Sequence, residues 1–413
     1  MSYKEELLGD YIDILSGFAF KTKDFVNKGV PIIKIKNICP PCVTLDDLTY
    51  VSNEVAEKQK KFILSYDDVL IAMTGSHINQ WASVVGRVAR VKYYDLTLLN
   101  QRVGKITIKD IAEADLNYIY YYLAQDTVKI ELAAIAGGAA NQANISPAHI
   151  KSLYFPCPDL AKQHKIGNIL RSYDDLIENN QKQIKLLEEA AQRLYKEWFV
   201  DLHFPGYEDV EIVDGVPDGW ERCQIQDVCN RINAGGTPKR GNANYWINAT
   251  EKWYKTGELQ DCWLLDSEEH ISKEGLNNSS AKVFPKNTIL MAIYASPTLG
   301  RLGILSSEAS CNQAALCILA DETKISWQWL YQKLYELRDE FNAIAKGAGQ
   351  QNISGEVVKK KEILVPSYEI INEYTLIAKS LFEKRYILQL QISKLSEARD
   401  RLLPKLMSGE IEV

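Results

Sequence analysis

Long hydrophobic runs are missing from this 413-residue sequence, and none approaches the roughly 18 apolar residues a membrane helix needs. The opening residues, Met1 to Glu6, lack the basic, apolar and small-residue order of a secretory signal, so a cytoplasmic protein is expected. Positive charge is not in excess. Lys and Arg number 48 against 54 Asp and Glu, a net charge of −6, which argues against indiscriminate coating of nucleic acid but leaves room for a local basic cleft. The eight cysteines (39, 42, 157, 223, 229, 262, 311 and 317) are scattered and are expected to be reduced thiols. Their closest pair, Cys39-Pro40-Pro41-Cys42, lacks a second Cys/His pair at zinc-finger spacing and reads as a proline-stiffened loop. The five histidines (77, 149, 164, 203 and 270) are dispersed and read as surface or packing residues. Also absent are a Gly-x-x-x-x-Gly-Lys-Ser/Thr phosphate loop, an Asn/Asp-Pro-Pro-aromatic tetrapeptide, Gly-x-Ser-x-Gly and His-Glu-x-x-His. Each absence removes an enzyme class, and no catalytic residue or metal is expected in this chain.

What is present is a duplication. Gly9-Asp10-Tyr11-Ile12 is echoed by Gln226-Asp227-Val228 at an offset of 217. Gly86-Arg87-Val88 recurs as Gly300-Arg301-Leu302 at 214, Asn100-Gln101 as Asn312-Gln313 at 212, and Asn144-Ile145-Ser146 as Asn352-Ile353-Ser354 at 208. From there the offset holds: Pro158 matches Pro366, Ile184 matches Ile392, and Leu194 matches Leu402. Loops absorb insertions, so the drifting part of each copy is a loop-rich globular domain. A packed helix cannot absorb them, because one lost residue turns every later side chain by about 100°.

The locked part is helical by periodicity. Ile166, Leu170, Tyr173, Ile177, Asn180, Ile184, Leu187, Ala191, Leu194 and Trp198 alternate spacings of four and three, a heptad seam. The second copy carries Tyr374, Ala378, Leu381, Arg385, Leu388, Ile392, Leu395, Arg399, Leu402 and Leu406, with two arginines on the seam. Asn180 is of the type that fixes register at a cost in stability. Pro404 is expected to kink or end the second helix and Gly409 to stop it. A helix over 159–199 spans roughly 60 Å, enough to hold two domains well apart.

The globular parts read as mixed α and β. Residues 30–38 alternate like a strand, Val69–Met73 and Ile289–Ile293 look like buried strands, and 115–135 and 326–345 are helical in pattern. The fold class expected is α+β, with two pseudo-repeated mixed domains separated by two long antiparallel coiled-coil helices.

Candidate grips for DNA fall in corresponding loops. In the first copy they are Ser16, Gly17, Lys21, Thr74 and Ser76, with Lys34 and Lys36 on an expected strand. In the second they are Gly235, Gly236, Thr237, Lys239, Arg240, Tyr294 and Ser296, with Lys252 and Lys255 on the matching strand. Small residues let backbone N–H groups approach phosphates, and the flanking cations add charge. Gln101 and Gln313, beside Asn100 and Asn312, carry amides suited to adenine edges, and equally suited to pinning a loop. Arg87 and Arg301 are open between the same two roles. The helix-pair interface is expected at Ile166, Leu170, Ile177, Asn180, Ile184, Leu187, Leu194, Leu388, Ile392, Leu395 and Leu402.

In order along the chain these features resemble the specificity subunits of type I restriction-modification systems. The resemblance rests on Pro156-Cys-Pro-Asp-Leu-Ala-Lys-Gln-His-Lys-Ile166 leading into the first helix and Leu194-Tyr-Lys-Glu-Trp-Phe199 closing it. Val216-Pro-Asp-Gly-Trp-Glu221, the two Asn-Ile-Ser tripeptides and Arg401-Leu-Leu-Pro-Lys-Leu-Met-Ser-Gly-Glu-Ile411 complete it. It implies target-recognition domains at 1–157 and 218–365, spacer helices at 158–200 and 366–413, and a connector at 201–217. Each domain would read half of a bipartite double-stranded DNA target. The paired helices would dock two methyltransferase subunits, which hold S-adenosylmethionine, and ATP-dependent restriction subunits would join for cleavage. Two other readings compete. A stand-alone adenine methyltransferase or nuclease is opposed by the missing motifs, and a coiled-coil scaffold that never touches DNA by the matched basic loops.

Overall fold

The structure, a computed structural model, describes residues 3–138, 142–294, 298–347 and 352–413. It divides into two compact units, Met1–Ile177 with Lys394–Val413, and Glu178–Ser393.

The first unit contains β1 (Ile12–Ser16), β2 (Val30–Ile33), β3 (Val69–Ala72), β4 (Val88–Arg90), β5 (Leu98–Leu99) and β6 (Val103–Ile108). Its helices are α1 (Leu116–Ala124), α2 (Asp126–Ile135) and the start of α3 (Leu160–Phe199). Among the described residues β1, β6, β3 and β4 lie side by side in one sheet, continued by the Cys42–Val43 and Ile38–Cys39 strands, while β5 and β2 open a second. All four residues of β3 are buried, and the pleat divides them. Val69 and Ile71 enter a core with Tyr118, Ile119 and Leu123 of α1, whereas Leu70 and Ala72 enter one with Ile33, Leu99 and Val103.

The second unit repeats the plan with β7 (Cys229–Ala234), β8 (Glu251–Tyr254), β9 (Ile289–Ala292), β10 (Leu302–Leu305), β11 (Ser310–Cys311) and β12 (Ala315–Ala320). Helices α4 (Trp327–Glu336), α5 (Arg338–Gly347) and α6 (Tyr368–Ser408) follow. The order β7, β12, β9, β10 matches the first sheet. Ile289 and Met291 again face one core and Leu290 and Ala292 another.

The Asn-Ile-Ser tripeptides acquire a structural meaning. Asn144 pairs with Thr74 and Asn352 with Tyr294. The buried isoleucines donate Ile145 N–H to Met73 O at 2.9 Å and Ile353 N–H to Ile293 O at 3.0 Å. Each serine then caps a short helix, accepting from His149 N–H and Val357 N–H.

The long helices pack antiparallel within each unit. In the first, Asp174 of α3 meets Arg399 of α6 at 2.6 Å. In the second, Asn180 Nδ2 donates to Gln391 Oε1 at 3.2 Å and Arg385 meets Glu188 at 2.6 Å. The two seam arginines are therefore answered by carboxylates on α3, and Arg385 is buried. Ile166, Leu170, Ile177, Asn180 and Leu388 are buried, while Ile184, Leu187, Leu194, Ile392, Leu395 and Leu402 are half-buried, as expected where only one neighbour covers a helix.

Several expectations are corrected. The strand over 30–38 ends at Ile33, because Lys34 N–H donates to Asn37 Oδ1 at 3.1 Å and the chain turns into a single 3-10 turn over Ile35–Asn37. Lys34 and Lys36 therefore sit on that turn rather than on a strand, and Lys255 lies one residue past β8. The helical stretches over 115–135 and 326–345 each break in two, at Gln125 and Leu337. Pro404 does not end α6, which continues to Ser408. Four residues before the helix ends, its missing N–H removes the bond to the Asp400 carbonyl.

Candidate nucleic-acid interface

Strand direction gathers the predicted grips. In the first unit β1 and β3 run antiparallel to β6, so Ser16 pairs with Gly104 and Ala72 with Val103. β4 starts where β3 ends, Val88 opposite Ile71. The loops at 16–21, 73–87 and 100–102 therefore emerge at one end of one sheet. β2 brings Lys34 there, because Asn100 N–H donates to Ile33 O at 3.1 Å and Gln101 N–H to Phe18 O at 3.0 Å. The second unit repeats this. Ala234 pairs with Leu316, Ala292 with Ala315 and Met291 with Leu302, and Asn312 N–H donates to Tyr254 O at 2.9 Å. Loops 234–240 and 312–314, with residues 293–294 and 298–301, share an end with Lys255. Ser296, like Ala295, lies outside the described residues.

Within each cluster many side chains already have partners inside the protein. A Cβ on Gly17 would lie 2.3 Å from Asn100 O, and one on Gly235 2.3 Å from Cys311 O, so these glycines admit the chain's own backbone. Gly236 is closed by Ser280 in the same way, at 2.3 Å. Thr74 and Ser76 are buried. The Thr74 hydroxyl donates to Asn144 Oδ1 at 2.8 Å and the Ser76 hydroxyl to Gln80 O at 2.7 Å. Thr237 bonds Gln313. Arg87 donates to Ala82 O at 2.9 Å and Ile35 O at 3.3 Å, and burial lowers its affinity for the proton. Arg301 reaches Gln260 at 3.3 Å.

The lysines divide likewise. Lys34 donates to Thr49 Oγ1 at 2.9 Å, and burial, then Lys36, push its pKa below the usual lysine value. Lys36 pairs with Asp47. Lys252 is held by Leu265 O and Ser307. Lys255 faces Glu268 at 2.9 Å and Glu269 at 3.1 Å, and hydrogen bonds to these two carboxylates raise its pKa. Arg240 also pairs with Glu269 and lies 3.8 Å from the centre of the Trp246 ring and 4.9 Å from that of Trp253. Two cations and two carboxylates are thus mutually neutralised beside Lys239.

Among the described residues, Lys21, Gln101 and Arg102 in the first cluster and Lys239 in the second are exposed, with no hydrogen bond or ion pair to their side chains. Arg102 escaped the sequence reading, although it follows Asn100-Gln101 directly. No group of three or more metal-ligating side chains occurs among the described residues, and Cys39 and Cys42 face each other across a hairpin. No described helix is long and apolar enough to cross a membrane.

The family model for the type I restriction modification DNA specificity domain matches twice, over residues 3–189 and 217–393. The chain belongs to this specificity family. Its two matches begin close to the starts of the two sequence copies. Among similar proteins, the type I restriction enzyme MjaIX specificity subunit of Methanocaldococcus jannaschii is 28% identical over 76% of this chain and 73% of its own. The HindI specificity subunit of Haemophilus influenzae is 27% identical over 63% and 70%. A crystal structure of the type I restriction-modification S subunit from M. genitalium shares the fold, with a TM-score of 0.64 at 16% identity over 98% of this specificity subunit and 96% of that chain. Recognition of a DNA sequence is the function the family supports.

Proposed function

We propose that each unit reads one half of a bipartite double-stranded DNA target through the loops at its shared strand end. The observation that carries this reading is the repetition of one loop cluster, built from the same strand ends, in both units. A protein that reads one site needs one such end. Exposed cations supply phosphate contacts and exposed amides supply base contacts, which assigns Lys21, Arg102 and Lys239 to the backbone and Gln101 to the bases. The sequence-predicted residues that are bonded inside the protein, such as Thr74, Ser76, Arg87 and Thr237, position these loops.

The helix pair is assigned the dock for two methyltransferase subunits. Leu176 and Leu186 of α3, with Leu376 and Ile387 of α6, are exposed apolar side chains on it. S-adenosylmethionine is placed in those subunits and ATP in the restriction subunits, because this chain carries no motif for either. The work would take place in the cytoplasm.

The test is to purify the chain and measure S-adenosylmethionine binding and retention of specific DNA, with and without methyltransferase subunits. The expected result is no cofactor binding by the chain alone, and specific retention with the partner. Cofactor binding and methylation by the isolated chain would replace this reading with a stand-alone enzyme.

A further inference from the structure

The two clusters differ in the turn that follows Met73 and Ile293. Met73 and Ile293 occupy matching positions, as do Gly86 and Gly300, whose N–H groups donate to Ala72 O and Ala292 O at 2.9 Å with φ of 83° and 80°. Thirteen residues carry the chain from Met73 to Gly86 and seven from Ile293 to Gly300. The first unit therefore holds six extra residues at its reading end.

These residues form a built loop. Ser76 N–H donates to Ser83 O at 2.9 Å, and Val85 N–H returns to Ser76 O at 3.0 Å. The Ser76 hydroxyl holds Gln80 O, and Arg87 holds Ala82 O. A Cβ on Gly75 would lie 2.5 Å from Ser83 O, so only glycine lets the returning strand come this close. Arg87, Ser76 and Gly75 thus share one role, which is to shape this loop.

The loop presents side chains that a soluble surface ordinarily hides. Ile78 is 56% exposed and Trp81 40% exposed. Asn79 and Gln80 stand between them, exposed and with no side-chain hydrogen bond among the described residues. The Lys129 ammonium lies 5.4 Å from the Trp81 ring centre. Apolar side chains flanking free amides, held in place beforehand, suit contact with bases. The amides meet base edges, the apolar groups pack on thymine methyls or enter a base step, and a backbone held beforehand lowers the ordering cost of binding.

We propose that the His77–Ser83 loop is a base-contacting wedge of the first unit, with Ile78 and Trp81 packing on the bases of its half-site and Asn79 and Gln80 bonding their edges. The second unit has no segment of this length at the matching place. The two half-sites are therefore read by different means. This rests on the reading of the units as half-site readers.

The experiment uses the full chain assembled with methyltransferase subunits and selects bound duplexes from random DNA, for wild type, Ile78→Ala/Trp81→Ala and Asn79→Ala/Gln80→Ala. The Asn79→Ala/Gln80→Ala variant alters only exposed side chains and should match the wild-type melting temperature, whereas Trp81→Ala also gives up the Lys129 contact and should lower it slightly. The expected result is loss of base preference at a few adjacent positions in one half-site only. Affinity for the wild-type target should fall about tenfold or more, with the salt slope unchanged. Unaltered selection and affinity by both variants would overturn the wedge while leaving the half-site reading intact. So would a uniform loss across sequences with a shallower salt slope, or failure to assemble with the methyltransferase. If wild type itself selects no sequence, the half-site reading falls and takes the wedge with it.

Discussion

Lys239 and Arg240 are neighbours of like charge in a glycine-rich loop, and the structure separates their work. Lys239 is exposed and unengaged among the described residues, whereas Arg240 is stacked on Trp246 and paired with Glu269. Lys239→Ala should weaken DNA binding a few-fold and lower the salt slope by about one, without changing the preferred sequence. A changed base preference would make Lys239 a base reader. Arg240→Ala should instead destabilise the fold by about 1 kcal/mol, the scale of an exposed cation–π contact, and be visible in the melting temperature before any DNA is added. Asp67 offers a pH readout. Burial alone would raise its pKa, but Arg90, Lys92 and Arg171 together hold it below the usual value of 3.8. Such a carboxylate contributes stability that is complete above about 3.8 and is lost as pH falls through the folded value. Asp67→Asn keeps a residue tolerant of the positive φ of 70°. It should lower the melting temperature at pH 7, with the difference from wild type shrinking below pH 4. A constant difference down to pH 3 would show that the ion cluster contributes no stability. None of these pairings was legible in the sequence, because each cation's partner stands on a different segment of the chain.

At the scale of elements, the helix seam was legible and its arginines were not. Heptad spacing and an offset of 208 that never drifts are properties of the chain itself, so the long helices could be placed before any contact was known. What makes Arg385 acceptable on the seam is Glu188 and the Asp261 carbonyl, at 2.6 and 3.0 Å. Among the described residues Arg385 Nε nonetheless has no hydrogen-bond partner, so the pair is incompletely satisfied. Arg385→Ala should cost roughly 2 kcal/mol, read from the denaturant midpoint, because Glu188 keeps some access to water. Replacing both residues with leucine should recover at least half of that loss. An unchanged midpoint in the single variant would show that the pair contributes nothing. The same limits explain the shortened strand at Ile33. Its alternation continues to Ile38, but the Asn37 side chain competes for the backbone and wins. The extra loop of the first unit was written in the offsets, which fall from 220 at Met73 to 214 at Gly86. Sequence shows that six residues were added there, and only the structure shows that they present Ile78 and Trp81 outward.

At the scale of the whole molecule, each unit is completed by a distant part of the chain. Leu406 and Met407, near the C-terminal end of α6, are buried in the first unit's core with Ile166 and Leu170. Trp198 and Tyr195, near the end of α3, are buried in the second unit's core with Tyr374. Positions 198 and 199 correspond to 406 and 407 at the fixed offset of 208. A fragment of residues 1–205 therefore lacks the end of α6 but carries its sequence counterpart, which a second copy can supply. It should dimerise and, with methyltransferase subunits, read an inverted repeat of the first half-site. Sedimentation as a folded monomer at micromolar concentration would contradict this. One chain is proposed to read two half-sites. Hydroxyl-radical footprinting of the full chain with methyltransferase subunits, on DNA selected by that complex, tests it most directly. Two protected tracts separated by an unprotected one are expected, each lost independently when its own unit's loops are altered. A single contiguous protected tract, lost as a whole by changes in either unit, would contradict it.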